Sequence, residues 1–155
     1  MIGFFDEASP QTTANTVRKW SKEKPRCIKN TDKVKANAIG FYEVNGTSLI
    51  EFPQRSKSED VCACLENIRD ANGSLPIVIV LDNFSAHHSK MTAARTEELN
   101  IHLVFLPPYS PHLNPIEFLW KSTKRVVSKT RIISREHMTG LLSDAFATET
   151  AYCVG

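Results

Sequence analysis

The 155-residue sequence has no long apolar run. Its longest uninterrupted aliphatic stretch is Ile77-Val78-Ile79-Val80-Leu81, far short of the roughly 18–20 residues that a membrane helix needs. No basic–apolar–small leader opens it, because Met1-Ile2-Gly3-Phe4-Phe5 runs straight into Asp6-Glu7. The four cysteines, Cys27, Cys62, Cys64 and Cys153, are too few and too irregularly spaced for a secreted disulfide scaffold. No second Cys or His pair stands at finger spacing from Cys62-Ala63-Cys64, which argues against structural zinc. Nucleophile-elbow, phosphate-loop and dinucleotide fingerprints are also missing. With no internal repeat and no low-complexity linker, the expectation is one intracellular, cytoplasmic domain spanning 1–155, large enough to bury its own core.

Excess charge of either sign is lacking overall, with 19 Lys+Arg against 17 Asp+Glu and a formal net charge of +2. The distribution is uneven. Residues 18–35 carry Arg18, Lys19, Lys22, Lys24, Arg26, Lys29, Lys33 and Lys35 against Glu23 and Asp32, a balance of +6. Residues 121–135 carry Lys121, Lys124, Arg125, Lys129, Arg131 and Arg135 with no acid, again +6, which leaves −10 for the rest. Two cationic blocks on an acidic chain suit a polyanionic partner, although solvated surface stretches would look the same.

Pattern and punctuation divide the chain into alternating elements. A short strand over 2–5 is followed by strands over 36–44 and 47–52, which flank the hairpin signal Asn45-Gly46. Ser56-Lys57-Ser58-Glu59 reads as a capping box, with Val61, Leu65 and Ile68 at helical spacing until Asn72-Gly73. The β-branched run 77–81 is the signature of a strand buried on both faces. A helix over about 89–99 and a strand over 102–106 come next. Asn114-Pro115 then forms an N-cap and first helical position, and Ile116, Leu119, Trp120 and Val127 form that helix's apolar stripe. A last helix from about Ser134 presents Met138, Leu141, Leu142, Ala145 and Phe146. The order β-β-β-α-β-α-β-α-α is α/β, with a mixed central sheet whose first strands are antiparallel, flanked by helices.

Three carboxylates fall at informative points. Asp6 ends the first predicted strand, Asp82 follows the buried strand, and Glu117 lies in the first turn after the proline-rich loop 107–115. Open α/β sheets place their sites at the carboxyl ends of strands, and a helix N-terminus favours an ionised Glu117. Oxygen ligands from three separate elements suit Mg²⁺. Two such ions, about 3.5–4 Å apart, can activate a hydroxyl and stabilise the leaving oxygen of a phosphodiester. Each residue also has an ordinary role open to it: Asp6 as a turn or cap residue, Asp82-Asn83 as a strand-ending turn, Glu117 as a capping partner. His87-His88 beside Asp82 suits hydrogen bonding better than transition-metal ligation, and Trp20 and Trp120 read as packing anchors.

Leu81-Asp82-Asn83-Phe84-Ser85-Ala86-His87, followed by Phe105-Leu106-Pro107-Pro108-Tyr109-Ser110-Pro111-His112-Leu113-Asn114-Pro115-Ile116-Glu117-Phe118-Leu119-Trp120, closely resembles the catalytic domain of mariner-like insertion-sequence transposases. These belong to the Asp-Asp-Glu transposase and integrase superfamily, with a ribonuclease-H-like fold. The 34 residues between Asp82 and Glu117 match the family spacing. Phe4-Phe5-Asp6-Glu7-Ala8-Ser9 resembles its first catalytic strand, and Arg18-Lys19-Trp20 with Lys24-Pro25 resembles its second-strand segment. His112 departs from the family, which usually has Asp or a similar polar residue there.

The resemblance implies a Mg²⁺-dependent transposase that nicks a transposon end and then joins the freed 3′-hydroxyl to target DNA, with Mn²⁺ able to substitute. Asp6, Asp82 and Glu117 would be the catalytic metal ligands, with Asn83, His87 and Asn114 orienting them. Arg18, Lys19, Lys22, Lys121, Lys124, Arg125 and Lys129 would contact DNA, and the active complex, with full-length protein, would be a homodimer. The family's N-terminal helix-turn-helix region has no counterpart here, so recognition of specific ends is expected to be absent. The alternative expectation is a catalytically silent fragment that binds DNA without specificity or oligomerises.

Overall fold

The computed structural model describes residues 1–12, 22 and 32–152. Arg18, Lys19 and the Arg18–Pro25 strand segment expected from the resemblance lie outside the described residues. Among the described residues, the strand antiparallel to the first one is 38–43.

Among the described residues, nine helices and strands follow one another as the sequence pattern predicts. They are β1 (Ile2–Ala8), β2 (Ala38–Glu43), β3 (Leu49–Glu51), α1 (Ser58–Asn72), β4 (Ile77–Leu81), α2 (Lys90–Glu98), β5 (Ile101–Phe105), α3 (Ile116–Lys129) and α4 (Arg135–Tyr152). A short 3-10 turn, Pro111–Leu113, precedes α3. The sheet order is β3-β2-β1-β4-β5. β2 lies antiparallel to β1 and to β3, whereas β4 runs parallel to β1 and β5 parallel to β4. No helix among the described residues is long and apolar enough to cross a membrane.

Alternation along the strands sends side chains to two separate cores. Phe5, Ile39, Phe41, Ile77, Ile79 and Leu81 pack with Val61, Cys64, Leu65 and Ile68 of α1 on one face. Ala8, Ala38 and Tyr42 pack with Ile116, Leu119 and Trp120 of α3 and Phe146 of α4 on the other. Cys64 is fully buried and burial pushes its thiol well above the ordinary range, so it serves the core as a small apolar group. Arg69 near the end of α1 staples the lower edge: its guanidinium donates to the carbonyls of Gly73, Leu75, Leu99 and Asn100 at 2.7–2.8 Å.

Several local expectations need correction. β1 continues through Ala8, so Asp6 lies inside the strand opposite Gly40 rather than at its end. β4 is not buried on both faces; Val78 and Val80 are half-buried because α3 covers β1 and β2 rather than β4. The hairpin forms, but Asn45-Gly46 is not its two-residue turn. Neither residue has the positive φ that a type I′ turn needs. A wider connection is held instead by Asn72 of α1, which accepts from the Thr47 N–H at 2.8 Å and donates to the Thr47 carbonyl at 3.1 Å. The first helix also starts later than the Ser56 capping box implies. Its cap is Lys57, whose N–H donates to Asp60 Oδ2 at 3.0 Å.

Candidate active site

The parallel arrangement of β1 and β4 brings their carboxyl ends side by side. Phe4 pairs with Val80, so Asp6 reaches past the last paired residues toward Asp82, which follows β4 directly. Asn114 locks α3 to the same edge: buried, it donates through Nδ2 to the Phe5 carbonyl at 3.2 Å. Its backbone is extended and Pro115 is already helical, but no helix N–H among the described residues donates to Asn114 Oδ1, so Asn114 ties the start of α3 to β1 without the expected side-chain cap. Glu117 therefore stands in the first turn of α3, exposed, within the field of Asp6.

Asp6 records this crowding. Its carboxyl is pushed up to about 7, first by burial and then by the charges of Glu117, Glu7 and Asp82. Like charges gathered in a poorly solvated place raise one another's proton affinity, and a divalent cation relieves the same repulsion.

Asp82 is pinned from its other side. Its Oδ1 accepts from the Phe84 N–H at 3.0 Å and lies 3.2 Å from His87 Nδ1. His87, buried at 1% exposure, places Nε2 2.9 Å from Glu7 Oε1. Burial alone would lower the His87 pKa, but the hydrogen bond and charge of Glu7, with Asp82, outweigh it and hold the imidazole above its ordinary value. Glu7, Asp82 and His87 are the group among the described residues whose ligating atoms all lie within 4.8 Å of one another. Asp6 and Glu117 stand outside that group.

The remaining positions divide. Asn83 Nδ2 donates to the Leu106 carbonyl at 2.6 Å and ties the β4 loop to the end of β5. Lys121, Arg125 and Lys129 are exposed along α3 and Lys124 is half-buried; in chain order the four stand four, seven, eight and twelve residues beyond Glu117. Lys22 is exposed. Sequence reasoning missed Glu7. The available signal was strand alternation, since a carboxylate beside Asp6 on a buried strand must face the opposite side. Tyr109, fully exposed with φ of 59°, caps the proline loop in a conformation that costs a non-glycine residue roughly 1–2 kcal/mol. A cavity of about 280 Å³ lies elsewhere, between the β2–β3 hairpin and α4, lined by Glu43, Ser48, Ile50 and Phe146. The carboxylates instead occupy an open edge.

A five-stranded mixed sheet in this order, with helices on both faces and acidic side chains at the parallel edge, defines the ribonuclease-H-like class. The chain belongs to the DDE superfamily endonucleases, whose family model matches residues 1–139. It is similar in fold to the Mos1 mariner paired-end complex with Mn, with a TM-score of 0.76, 20% identity, and coverage of 99% of this chain and 50% of that one. A second Mos1 paired-end complex, with the left transposon end, gives a TM-score of 0.75 at 18% identity, covering 99% of this chain and 54% of the other. The catalytic domain of Mos1 mariner transposase gives 0.70 at 18% identity, covering 99% and 80%. The chain thus spans about half the length of the Mos1 chains in the DNA complexes. Comparison with curated protein sequences found no match.

Proposed function

We propose that residues 1–155 act as a transposase catalytic domain, carrying out metal-dependent DNA strand cleavage and strand transfer. The observation that carries the reading is the convergence of Asp6 from β1, Asp82 from the end of β4 and Glu117 from α3 at one sheet edge, within a chain that matches the DDE superfamily endonuclease model. An all-oxygen donor set whose crowding is already felt at Asp6 fits a hard divalent cation such as Mg²⁺, with Mn²⁺ as its substitute. The fold relatives include Mos1 structures described with Mg and with Mn. Bound there, two ions would activate the attacking oxygen and stabilise the leaving one.

The chain's own residues supply the positioning. Asp6 is fixed by the β1–β2 ladder, Asn114 holds the start of α3 against β1, and the Asn83 bond fixes the β4 loop. The α3 cations Lys121, Lys124, Arg125 and Lys129, with Arg18, Lys19 and Lys22, would grip the phosphate backbone. Active assemblies would contain two copies, and the site of action would be wherever DNA is, inside the cell.

The deciding experiment is Mg²⁺- or Mn²⁺-dependent nicking of supercoiled DNA by the wild-type chain and by Asp82→Asn. Removing an outer partner of a metal site typically costs 10–100-fold, so losing a ligand should cost more than about 100-fold. Indistinguishable traces would identify a silent DNA-binding module. A second expectation concerns Lys121→Glu with Lys124→Glu. With fewer phosphates neutralised, binding to DNA of any sequence should weaken by roughly tenfold or more at low salt, and the slope of log affinity against log salt should flatten by about 0.9 for each phosphate released. A fluorescence-anisotropy titration at two salt concentrations reads both effects, and an unchanged isotherm would remove α3 from the interface.

A further inference from the structure

Asp6 and Glu7 are consecutive on β1, so they project from opposite faces of the sheet. Asp6 works on the α3 side. Glu7 shares the face of Phe5, and both meet His87 there: the imidazole stands edge-on to the Phe5 ring at 5.5 Å, with Nε2 2.9 Å from Glu7 Oε1. The other ring nitrogen, Nδ1, lies 3.2 Å from Asp82 Oδ1 and 3.2 Å from the Asp82 carbonyl oxygen. Phe84 flanks the ring from a third direction at 5.7 Å. With no side-chain surface exposed and both nitrogens engaged, His87 could take a metal ion only by giving up these partners. Asp82 Oδ1, meanwhile, is shared between His87 and the Phe84 N–H, which leaves Oδ2 as the oxygen free of both.

We infer that Glu7 is a positioning residue: acting through buried His87, it fixes the Asp82 carboxylate at the end of β4 and thereby sets the affinity of the site for a divalent cation. The inference rests on Asp82 being a metal ligand, as proposed above. One strand then serves the site twice, with a ligand on one face and the support of a second ligand on the other. Such supports act by limiting the orientations from which a ligand must be recruited.

The test is Mn²⁺ binding, followed by electron paramagnetic resonance of the free ion, on the wild-type chain and on Glu7→Gln, Glu7→Asp, Glu7→Ala and Asp82→Asn. Gln keeps an oxygen at the right reach to accept from His87, whereas Asp keeps the charge but withdraws it by about 1.5 Å, beyond hydrogen-bonding range. The expected order is therefore Gln within about threefold of wild type, with Asp and Ala weakened roughly 10–100-fold. The reverse order, Asp tolerated and Gln lost, would mean that Glu7 acts by charge or direct ligation and would overturn the inference. So would equal affinity in all the Glu7 variants. A metal-free readout stands beside it. The His87 Nε2–H proton signal should exchange slowly in wild type and Glu7→Gln and vanish in Glu7→Asp and Glu7→Ala; persistence in Glu7→Ala would overturn the relay. Asp82→Asn separates the two levels: if it binds Mn²⁺ as tightly as wild type, the metal-ligand reading itself fails and the relay's role in metal binding falls with it.

Discussion

Asp6→Asn should raise the melting temperature of the metal-free chain at pH 8 while eliminating metal-dependent cleavage. An aspartate in the unfolded chain titrates near 3.8, whereas in the fold burial and the charges of Glu117, Glu7 and Asp82 push Asp6 up to about 7. Between these values the native state holds a proton that the unfolded state has released. Stability from this residue is fully present below pH 3.8, falls as pH climbs toward 7, and stays low above it. At 1.36 kcal/mol per unit, the penalty at pH 8 is on the order of 4 kcal/mol. Asn carries no charge at any of these pH values and removes most of that penalty. At about 2–4 °C per kcal/mol for a domain of this size, the gain is on the order of 10 °C. His87 contributes in the same direction, since its raised value also makes stability fall as pH rises through its folded pKa, but that contribution is common to both proteins. Scanning calorimetry at pH 5 and pH 8 isolates Asp6: wild type should lose melting temperature across the interval much faster than Asp6→Asn. Added Mg²⁺ should restore wild type at pH 8 through its preference for the native state and leave the variant unmoved. Equal melting temperatures at pH 8 would mean that Asp6 bears no such crowding.

That trade of stability for chemistry was only partly visible in the sequence. The order of elements was readable because apolar spacing and punctuation agreed: Val61, Leu65 and Ile68 before Asn72-Gly73, five aliphatic residues before Asp82, Asn114-Pro115 before the stripe of α3. Asp82 and Glu117 could be placed for the same reason, each sitting next to a well-marked boundary. What was hidden depended on partners distant in the chain. β1 runs to Ala8 because β2 pairs with it that far, which no pattern within 2–8 announces. Asn45-Gly46 loses its expected turn to hydrogen bonds from Asn72, an asparagine that by itself only marks a helix end. Glu7 carries no signal of its own in the sequence; its meaning comes from His87, eighty residues later. Tyr109 takes a left-handed conformation that its residue type argues against.

Gly40→Ala should damage both the fold and the site, and Trp120→Phe should repair part of that damage. Gly40 sits in β2 directly opposite Asp6. A Cβ there would lie 2.6 Å from Trp120 Cζ2, 2.9 Å from Cη2 and 3.0 Å from Ile116 Cδ1, closer than packed atoms tolerate. Trp120 cannot swing clear, because it is buried at 1% exposure and its ring packs against Phe146 at a centroid distance of 5.7 Å. Helix α3 must therefore lift from the sheet, and Glu117, flanked by Ile116 and three residues before Trp120, must move with it. Overpacking of this kind costs typically 1–3 kcal/mol, and a displaced carboxylate should lower cleavage in the same variant. Phe lacks the outer ring atoms that collide. The change forfeits no hydrogen bond, since Trp120 Nε1 is buried without a partner among the described residues. Trp120→Phe alone should cost stability through its smaller volume, yet the double variant should be more stable than the sum of the single effects by about 0.5–3 kcal/mol, the range for residues in direct contact. Nicking activity should recover in parallel, because the same movement of α3 sets both quantities. Strict additivity in a urea-unfolding cycle, or recovered stability with cleavage still absent, would show that Glu117 is positioned independently of the packing between Gly40 and Trp120.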